Sequence, residues 1–500
     1  VKELLDKILE QSDLFLFTHA GFWIFFTLIL IINSFLSNSR GVRIAFLFVA
    51  SLFFYFKTGG YFFSLLILST IVDFSIGLLL GRSNIKALRQ LLVACSLIVN
   101  LGVLAYFKYT YFFASIIENN AGIQLNVYDY LASFFNHLAG TDFSIESITL
   151  PVGISFFTFQ TISYTIDVYR REVKPVSNII DFGFYVSFFP QLIAGPIVRA
   201  KTFIPQIYRK LVLSEKWIWW AILLVIGGLF KKMVISDYIS VNFIDRVFEH
   251  PVSYSGFEVI VAIYGYALQI YCDFSGYTDI ALGVAVLLGF RLPKNFNHPY
   301  KATSISDFWR RWHISLSAWL RDYLYIPLGG SRKGFIRTFI NLMITMLIGG
   351  LWHGAALKFV IWGGLHGIAL VINRGINAIV KKSSKFTKAI GWFITFHFVV
   401  LTWIVFRAES LQNVQIMVDR VIRTFKPYNI LDILSAQTYL FVILLFGFAL
   451  HWIPEKLRMR LKLYFVCWPL YIKIITSAIA VYIIFSLHQH SIVPFIYFRF

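Results

Sequence analysis

Residues 307–333 read DFWRRWHISLSAWLRDYLYIPLGGSRK, and residues 334–355 continue GFIRTFINLMITMLIGGLWHGA. The second piece is an apolar run of about the length, roughly 18–20 residues, that crosses a hydrocarbon core as a helix. Lipid offers no partners to backbone N–H and C=O groups, so such a run pairs them internally as a helix. The spacing of the first piece predicts a helix over 308–323, with Trp309, Trp312, His313, Leu316 and Leu320 on one face. Arg310, Arg311 and Arg321 lie largely off that face, and Ser304, Ser306 or Asp307 would cap it. Trp and Arg together suit a helix at the membrane–water boundary, and Arg332, Lys333 and Arg337 place that boundary on the cytoplasmic side. From Arg337 to His353 is about 24 Å of helix against a hydrocarbon core of about 30 Å. His353 is therefore expected deep in the membrane, where an ionisable side chain is a functional-site hypothesis by default.

Composition carries the same reading over the whole chain. Of 500 residues, 58% are hydrophobic and only 14% charged, with a mean hydropathy of +0.71. Those values exclude an ordinary soluble protein and indicate an all-α polytopic membrane protein. The net charge of +20 sits in short basic loops between apolar runs, so it reads as a topology signal and not as a nucleic-acid surface. Cys95, Cys272 and Cys467 stand alone in apolar surroundings and are expected to be buried small hydrophobes rather than a disulfide or metal set.

About a dozen hydrophobic segments follow one another, expected as transmembrane or re-entrant helices. The start, VKELLDKILEQSDLF, is amphipathic and reads as interfacial, with no convincing signal-peptide cleavage site. Spans are expected at 14–36, 41–56, 61–80 and 91–117, then a polar external loop with a short helix at 119–148. Segments 151–168 and 179–193 are apolar but interrupted by Pro, Gly, Gln and Ser, a texture of short helices packed inside protein. Segment 217–230 looks closed by Lys231 and Lys232, and 257–290 is long enough to span although it contains Gln269, Asp273 and Asp279. Those two carboxylates are six positions apart, about 240° around a helix, which suits polar glue between helices better than a paired catalytic site. Further spans are expected at 359–379, 390–406, 439–453 and 465–487. One membrane domain over 1–500 is the simplest organisation.

Among the histidines, His353 is set apart by Gly349, Gly350, Gly354, Ala355 and Ala356. Small residues admit either a substrate or another helix backbone, and the sequence leaves both open. His366, His397 and His451 also lie in apolar runs and read as hydrogen-bonded core histidines. His353 and His366 would fall on different faces of a continuous helix, and no HExxH, paired Cys or facing carboxylates complete a ligand set, so no metal is expected. Neither a GxSxG elbow nor a phosphate-binding glycine loop is present to suggest a hydrolase or nucleotide fold.

Five blocks together resemble the membrane-bound O-acyltransferases, closest to the bacterial branch typified by alginate O-acetyltransferases. They are LPVGISFFTFQTISYTIDVYR from Leu150, FFPQLIAGPIVR from Phe188, YCDFSGYTDIALGVAVLLGFRLPKNFNHPY from Tyr271, DFWRRWHISLSAWLRDYLYIPLGG from Asp307, and LWHGA from Leu351. They lie within 150–367, the core motif region; the rest matches mainly in hydrophobic pattern, apart from the final residues. The resemblance implies a ring of helices around a central tunnel. His353 falls on the family's catalytic histidine and His313 on the second functional position. It also implies an acyl thioester donor used from the cytoplasm, acetyl-CoA or an acyl-carrier thioester, and no bound cofactor. The acceptor would be an envelope or exported polysaccharide, reached with an extracytoplasmic serine (SGNH-like) acyltransferase partner at the bacterial inner membrane. Arg310, Arg311, Arg332 and Lys333 could attract the donor's phosphates or an acidic donor protein.

The basic run Lys456, Arg458, Arg460 and Lys462 reads as cytoplasmic, which sends 465–487 outward and leaves 488–500, HQHSIVPFIYFRF, as an extracytoplasmic tail. Its aromatic residues favour folding back into an apolar funnel. A terminal FIYF-type motif resembles the tail of envelope-acylating systems, which implies Tyr497 as an acyl relay; an interfacial aromatic anchor is the alternative. The rival class for the whole chain is a polysaccharide or lipid transporter or flippase, which predicts internal repeats that are not visible.

Overall fold

The structure, a computed structural model, describes residues 16–139, 144–192, 195–379, 384–427, 430–487 and 495–496. The amphipathic start over 1–15 and Tyr497 both lie outside these residues. Every regular element among the described residues is helical. Nine helical runs among them are long and apolar enough to cross a membrane, and a tenth pair, Ile430–Ala436 with Thr438–Trp452, is bent by 89°. The all-α polytopic reading therefore stands. The described residues fall into two compact units, one within Val1–Ile193, Ile197–Lys210 and Gly354–Ala356, the other within Ala194–Pro196, Leu211–His353 and Leu357–Phe500.

In the first unit the helices used below are α1 (Ala20–Phe35), α2 (Arg40–Gly59), α3 (Phe63–Arg82), α4 (Lys86–Leu104), α5 (Ile154–Tyr169) and α6 (Ile179–Ser187). Helix α5 is shorter than a span and buried along nearly its whole length, as its interrupted composition suggested. What holds it is polar. Asp73 on α3 accepts from Ser96 and from Asn100 (2.7 Å) on α4 and from Thr165 (2.7 Å) on α5. In an apolar interior an unpaired polar group is costly, so this satisfied set fixes the three helices in one register. Arg89 adds a second tie: its guanidinium donates to the carbonyls of Leu80 and Ser83 at the end of α3 and of Val168 and Tyr169 at the end of α5. A cation at two helix C-termini satisfies carbonyls that have no intrahelical donor. Cys95, on the outer side of α4, is exposed, as is Cys467; only Cys272 is buried. The expectation of three buried thiols is corrected, because a spanning helix carries apolar side chains on its lipid-facing side too.

In the second unit they are α7 (Glu215–Leu229), α8 (Gly256–Leu287), α9 (Ile305–Trp309), α10 (Ile314–Leu320), α11 (Gly334–His353), α12 (Leu357–Ile379), α13 (Lys385–Arg407), α14 (Leu411–Arg423), α15 (Thr438–Trp452), α16 (Glu455–Cys467) and α17 (Leu470–Leu487). Helix α8 begins with a capping box in which Ser255 and Glu258 satisfy each other's backbone N–H. It packs backbone-close to α7: a Cβ on Gly228 would sit 2.6 Å from the Gly276 carbonyl, and one on Gly276 2.8 Å from that of Gly228.

Two expectations change here. Lys231 and Lys232 do not close the run at 230. It continues through π-helical turns over Phe230–Ser236 and Ser240–Ile244 to Glu249. Carboxylates on α8 and Asp237 make that possible by pairing both lysines inside the protein (Lys231–Asp279 2.6 Å, Lys232–Asp273 2.6 Å, Lys232–Asp237 2.8 Å). The Asp273 and Asp279 reading as glue between helices is borne out by those pairs. Next, the basic residues 456–462 form a helix, α16, rather than a loop, and Phe465 ends up on it. Pro469 separates α16 from α17, so the 23-residue span expected at 465–487 is an 18-residue helix.

Candidate functional site

The third change is at His313. No continuous helix runs over 308–323. Ser304 caps α9 by accepting from the Asp307 N–H (3.1 Å), and the chain leaves the helix after Trp309. His313 adopts the left-handed region (φ 41°, ψ 56°) before α10 starts. This conformation is unusual for a residue with a Cβ. The 295–297 loop holds it in place: Ile314 N–H donates to the Asn295 carbonyl and Asn297 N–H to the Arg311 carbonyl, both at 2.9 Å. Asn295 Oδ1 also accepts from the Ser315 hydroxyl at 2.6 Å. The break turns His313 inward, fully buried, with the expected face partners Trp312, Leu316 and Leu320 buried around it.

His353 closes α11, and its ring centroid lies 6.5 Å from that of His313. Trp352 borders both, at 5.7 Å from His313 and 5.1 Å from His353. On the other side Trp362 of α12 stands edge-on to His353 at 5.1 Å and lies 4.8 Å from His366. His353 and His366 therefore meet across one indole. The continuous-helix estimate that separated them fails because the helix breaks after His353 and restarts at Leu357. Phe406 of α13 completes the wall at 5.3 Å from His353. His366 Nε2 is held by the Thr402 hydroxyl (3.1 Å), which makes it a core histidine as expected.

The glycines next to His353 now have a reason. A Cβ on Gly350 would meet the Phe359 carbonyl carbon at 3.1 Å and the Gly363 Cα at 3.2 Å, and one on Gly349 would meet Leu320 at 3.1 Å. Both are needed so that α11 can approach α12 and α10, so helix packing accounts for them. Both imidazoles are buried. Burial pushes the His313 imidazole down to about 3, which leaves it neutral at pH 7 with one N–H to donate. Sequence reasoning missed two further donors here. The indole N–H groups of Trp309 and Trp362 find no acceptor among the described residues. Two buried histidines and indole donors in one site can take a proton from a hydroxyl and hold an oxygen that gains charge.

The four cations named from the sequence do not converge on this pocket. Arg310, Arg332 and Lys333 are exposed, whereas Arg311 pairs with Asp307 (2.9 Å) and donates to the Asn297 carbonyl (3.3 Å). Among the described residues no three His, Cys, Asp or Glu gather as a metal ligand set. The sequence reading also missed the neighbour of His313 on α8. Phe274 is edge-on to it at 4.8 Å, and Phe495 lies 5.6 Å from Phe274.

The chain is similar to known proteins over much of its length. The family model for membrane-bound O-acyltransferases matches residues 60–418, well beyond the motif blocks on both sides. A protein of Pseudomonas aeruginosa named "probable alginate O-acetylase" is 40% identical over 344 residues, 69% of this chain and 62% of that protein. A peptidoglycan O-acetyltransferase of Helicobacter pylori is 38% identical, covering 73% of this chain and 71% of its own. A teichoic acid D-alanyltransferase of Bacillus subtilis is 30% identical over 52% of this chain and 70% of its own. The chain thus spans less than two thirds of the Pseudomonas relative's length.

Proposed function

Because this chain belongs to the membrane-bound O-acyltransferase family, we propose that it moves an acyl group, acetyl in the first instance, from a cytoplasmic thioester to a hydroxyl destined for an envelope or exported polysaccharide. The observation that carries the reading is the pair His313 and His353, both buried and 6.5 Å apart in one aromatic pocket. In this reading His353 takes the proton of the attacking hydroxyl as its oxygen bonds to the thioester carbonyl carbon. The C–S bond then breaks, and the proton passes from His353 to the leaving sulfur. Neutral His313 donates its N–H to the carbonyl oxygen as that oxygen becomes negative. The donor is acetyl-CoA or an acyl-carrier protein, approaching beside the exposed Arg310, Arg332 and Lys333, with Arg311 near them in sequence. The first acceptor is the Tyr497 phenol, and an SGNH-like serine acyltransferase outside the inner membrane collects the acyl group from it. The relatives' names support a polymer acceptor: alginate, peptidoglycan and teichoic acid all present acylatable groups outside the cytoplasmic membrane.

The test is thiol release from acetyl-CoA by the purified protein, with mass spectrometry of the protein when no acceptor is present. His353→Ala should keep its expression and thermal stability while release falls at least about 10²-fold, the scale of a lost general base. Tyr497→Phe should lose the O-acyl group on the 488–500 peptide. Near-normal turnover in His353→Ala would end the catalytic assignment, and normal acyl transfer in Tyr497→Phe would end the relay.

A further inference from the structure

Residues 495 and 496 are seated deep in the second unit, 1% and 5% exposed. They lie against the middle of α8. Asp273 is 17 residues from the start of that helix, about 26 Å along its axis. Its carboxylate is divided between two jobs. Oδ1 is held by Lys232 Nζ at 2.6 Å, and Lys232 is held in turn by Asp237 at 2.8 Å. Oδ2 accepts the main-chain N–H of Ile496 at 2.9 Å. One turn further along the same face, Tyr277 lies 4.7 Å from the Phe495 ring, and Phe274 touches both Phe495 (5.6 Å) and His313 (4.8 Å).

We propose that Asp273, oriented by Lys232, is a positioning residue that docks the 495–496 segment beside the histidine pocket by its main chain. A buried carboxylate accepting a backbone N–H is a strong, directional contact, and it reads the chain and not the side chain at 496. Phe495 supplies the apolar half, edge-on to Phe274 and tilted against Tyr277. Together they fix both the depth and the rotation of the 495–496 segment. A hydrophobic contact alone would let the segment slide along α8; the hydrogen bond sets one register. The triad also gives the lysine and two aspartates of this apolar interior a role, since Lys232 restrains Asp273 so that Oδ2 faces the segment. The activity arm of this proposal rests on the acyl-transfer reading above. The docking arm does not.

The experiment follows amide hydrogen exchange over 488–500, by mass spectrometry on the full chain in lipid nanodiscs, alongside acyl transfer. In the parent protein the Ile496 amide should exchange slowly. Asp273→Leu removes the acceptor yet leaves Lys232 paired with Asp237, so the amide should exchange about tenfold faster or more, the shift one lost buried hydrogen bond produces. Ile496→Pro removes the donor from the segment itself and leaves every residue of α7 and α8, including the Gly228–Gly276 contact, unchanged. The neighbouring amide of Phe495 should lose protection in that variant, and acyl transfer should fall by a similar factor in both. Ile496→Val keeps the N–H and should retain slow exchange, which separates a main-chain role from a side-chain one. Unchanged exchange in Asp273→Leu, or in the Ile496→Pro segment, overturns the docking. Faster exchange with undiminished acyl transfer overturns the positioning role. Tyr497→Phe leaves exchange slow in either case, so failure of the tyrosine relay shows separately from failure of the dock.

Discussion

Gly350→Ala should cost activity well out of proportion to one methyl group. Helices α11 and α12 touch backbone to backbone at Gly350 and Gly363: a Cβ at 350 would overlap the Phe359 carbonyl oxygen and lie 3.1 Å from its carbon. Ordinary contact distances are about 3.5 Å or more, so the helices would part by about 1 Å. Overpacking of this kind costs about 1–3 kcal/mol of stability. The larger effect is geometric. His353 lies three residues beyond Gly350 on α11, and its wall, Trp362, is on α12 at 5.1 Å. A displacement of about 1 Å at a catalytic group can lower the rate about 10²-fold. Thiol release from acetyl-CoA by the variant in nanodiscs measures this, with thermal unfolding in parallel. The control is Gly364→Ala, next door to Gly363, where the new Cβ finds only Leu347 at an ordinary 3.6 Å. Full activity in Gly350→Ala, or an equal loss in Gly364→Ala, would refute the claim that close packing of these helices positions His353.

Three further outcomes follow from particular groups. Lys232→Met strands Asp237 and Asp273 in the interior and should destabilise the protein by about 3–5 kcal/mol in chemical unfolding, whereas Asp273→Leu, which leaves an ion pair, should cost less. His313 has an ordinary value of 6.5 and is held near 3 by burial, so the unfolded chain takes up a proton below pH 6.5 that the folded chain refuses until about pH 3. Stability should thus be insensitive to this group above pH 6.5 and fall by at most about 1.4 kcal/mol per pH unit below it, a slope that His313→Gln reduces in unfolding at pH 7, 6 and 5. Charge reversal at Arg332 and Lys333 should raise the KM for the thioester donor at low salt with little change at high salt, and a KM unaffected at every ionic strength would place donor entry elsewhere.

Much of this molecule is written in short-range order. Long apolar runs have no choice but to pair their backbones internally, so the helices of the spans and the buried character of α5 follow from composition. Capping at Ser304 is equally local, since its side chain reaches three residues on. The family blocks, with His313 and His353 in them, are legible for the same reason: each is a contiguous string. What the sequence did not determine are the places where distant strings meet. The left-handed turn at His313 is imposed by hydrogen bonds to Asn295 and Asn297, and periodicity alone predicts an unbroken helix there. Lys231 and Lys232 look like the end of a span until carboxylates some forty residues later turn them inward. His353 and His366 share an indole only because the helix breaks between them. The hydrogen bond from Ile496 to Asp273 joins residues 223 apart in the chain. Helical periodicity describes one element in isolation; a buried charge or an unpaired N–H takes its partner from whichever element the packing brings within reach.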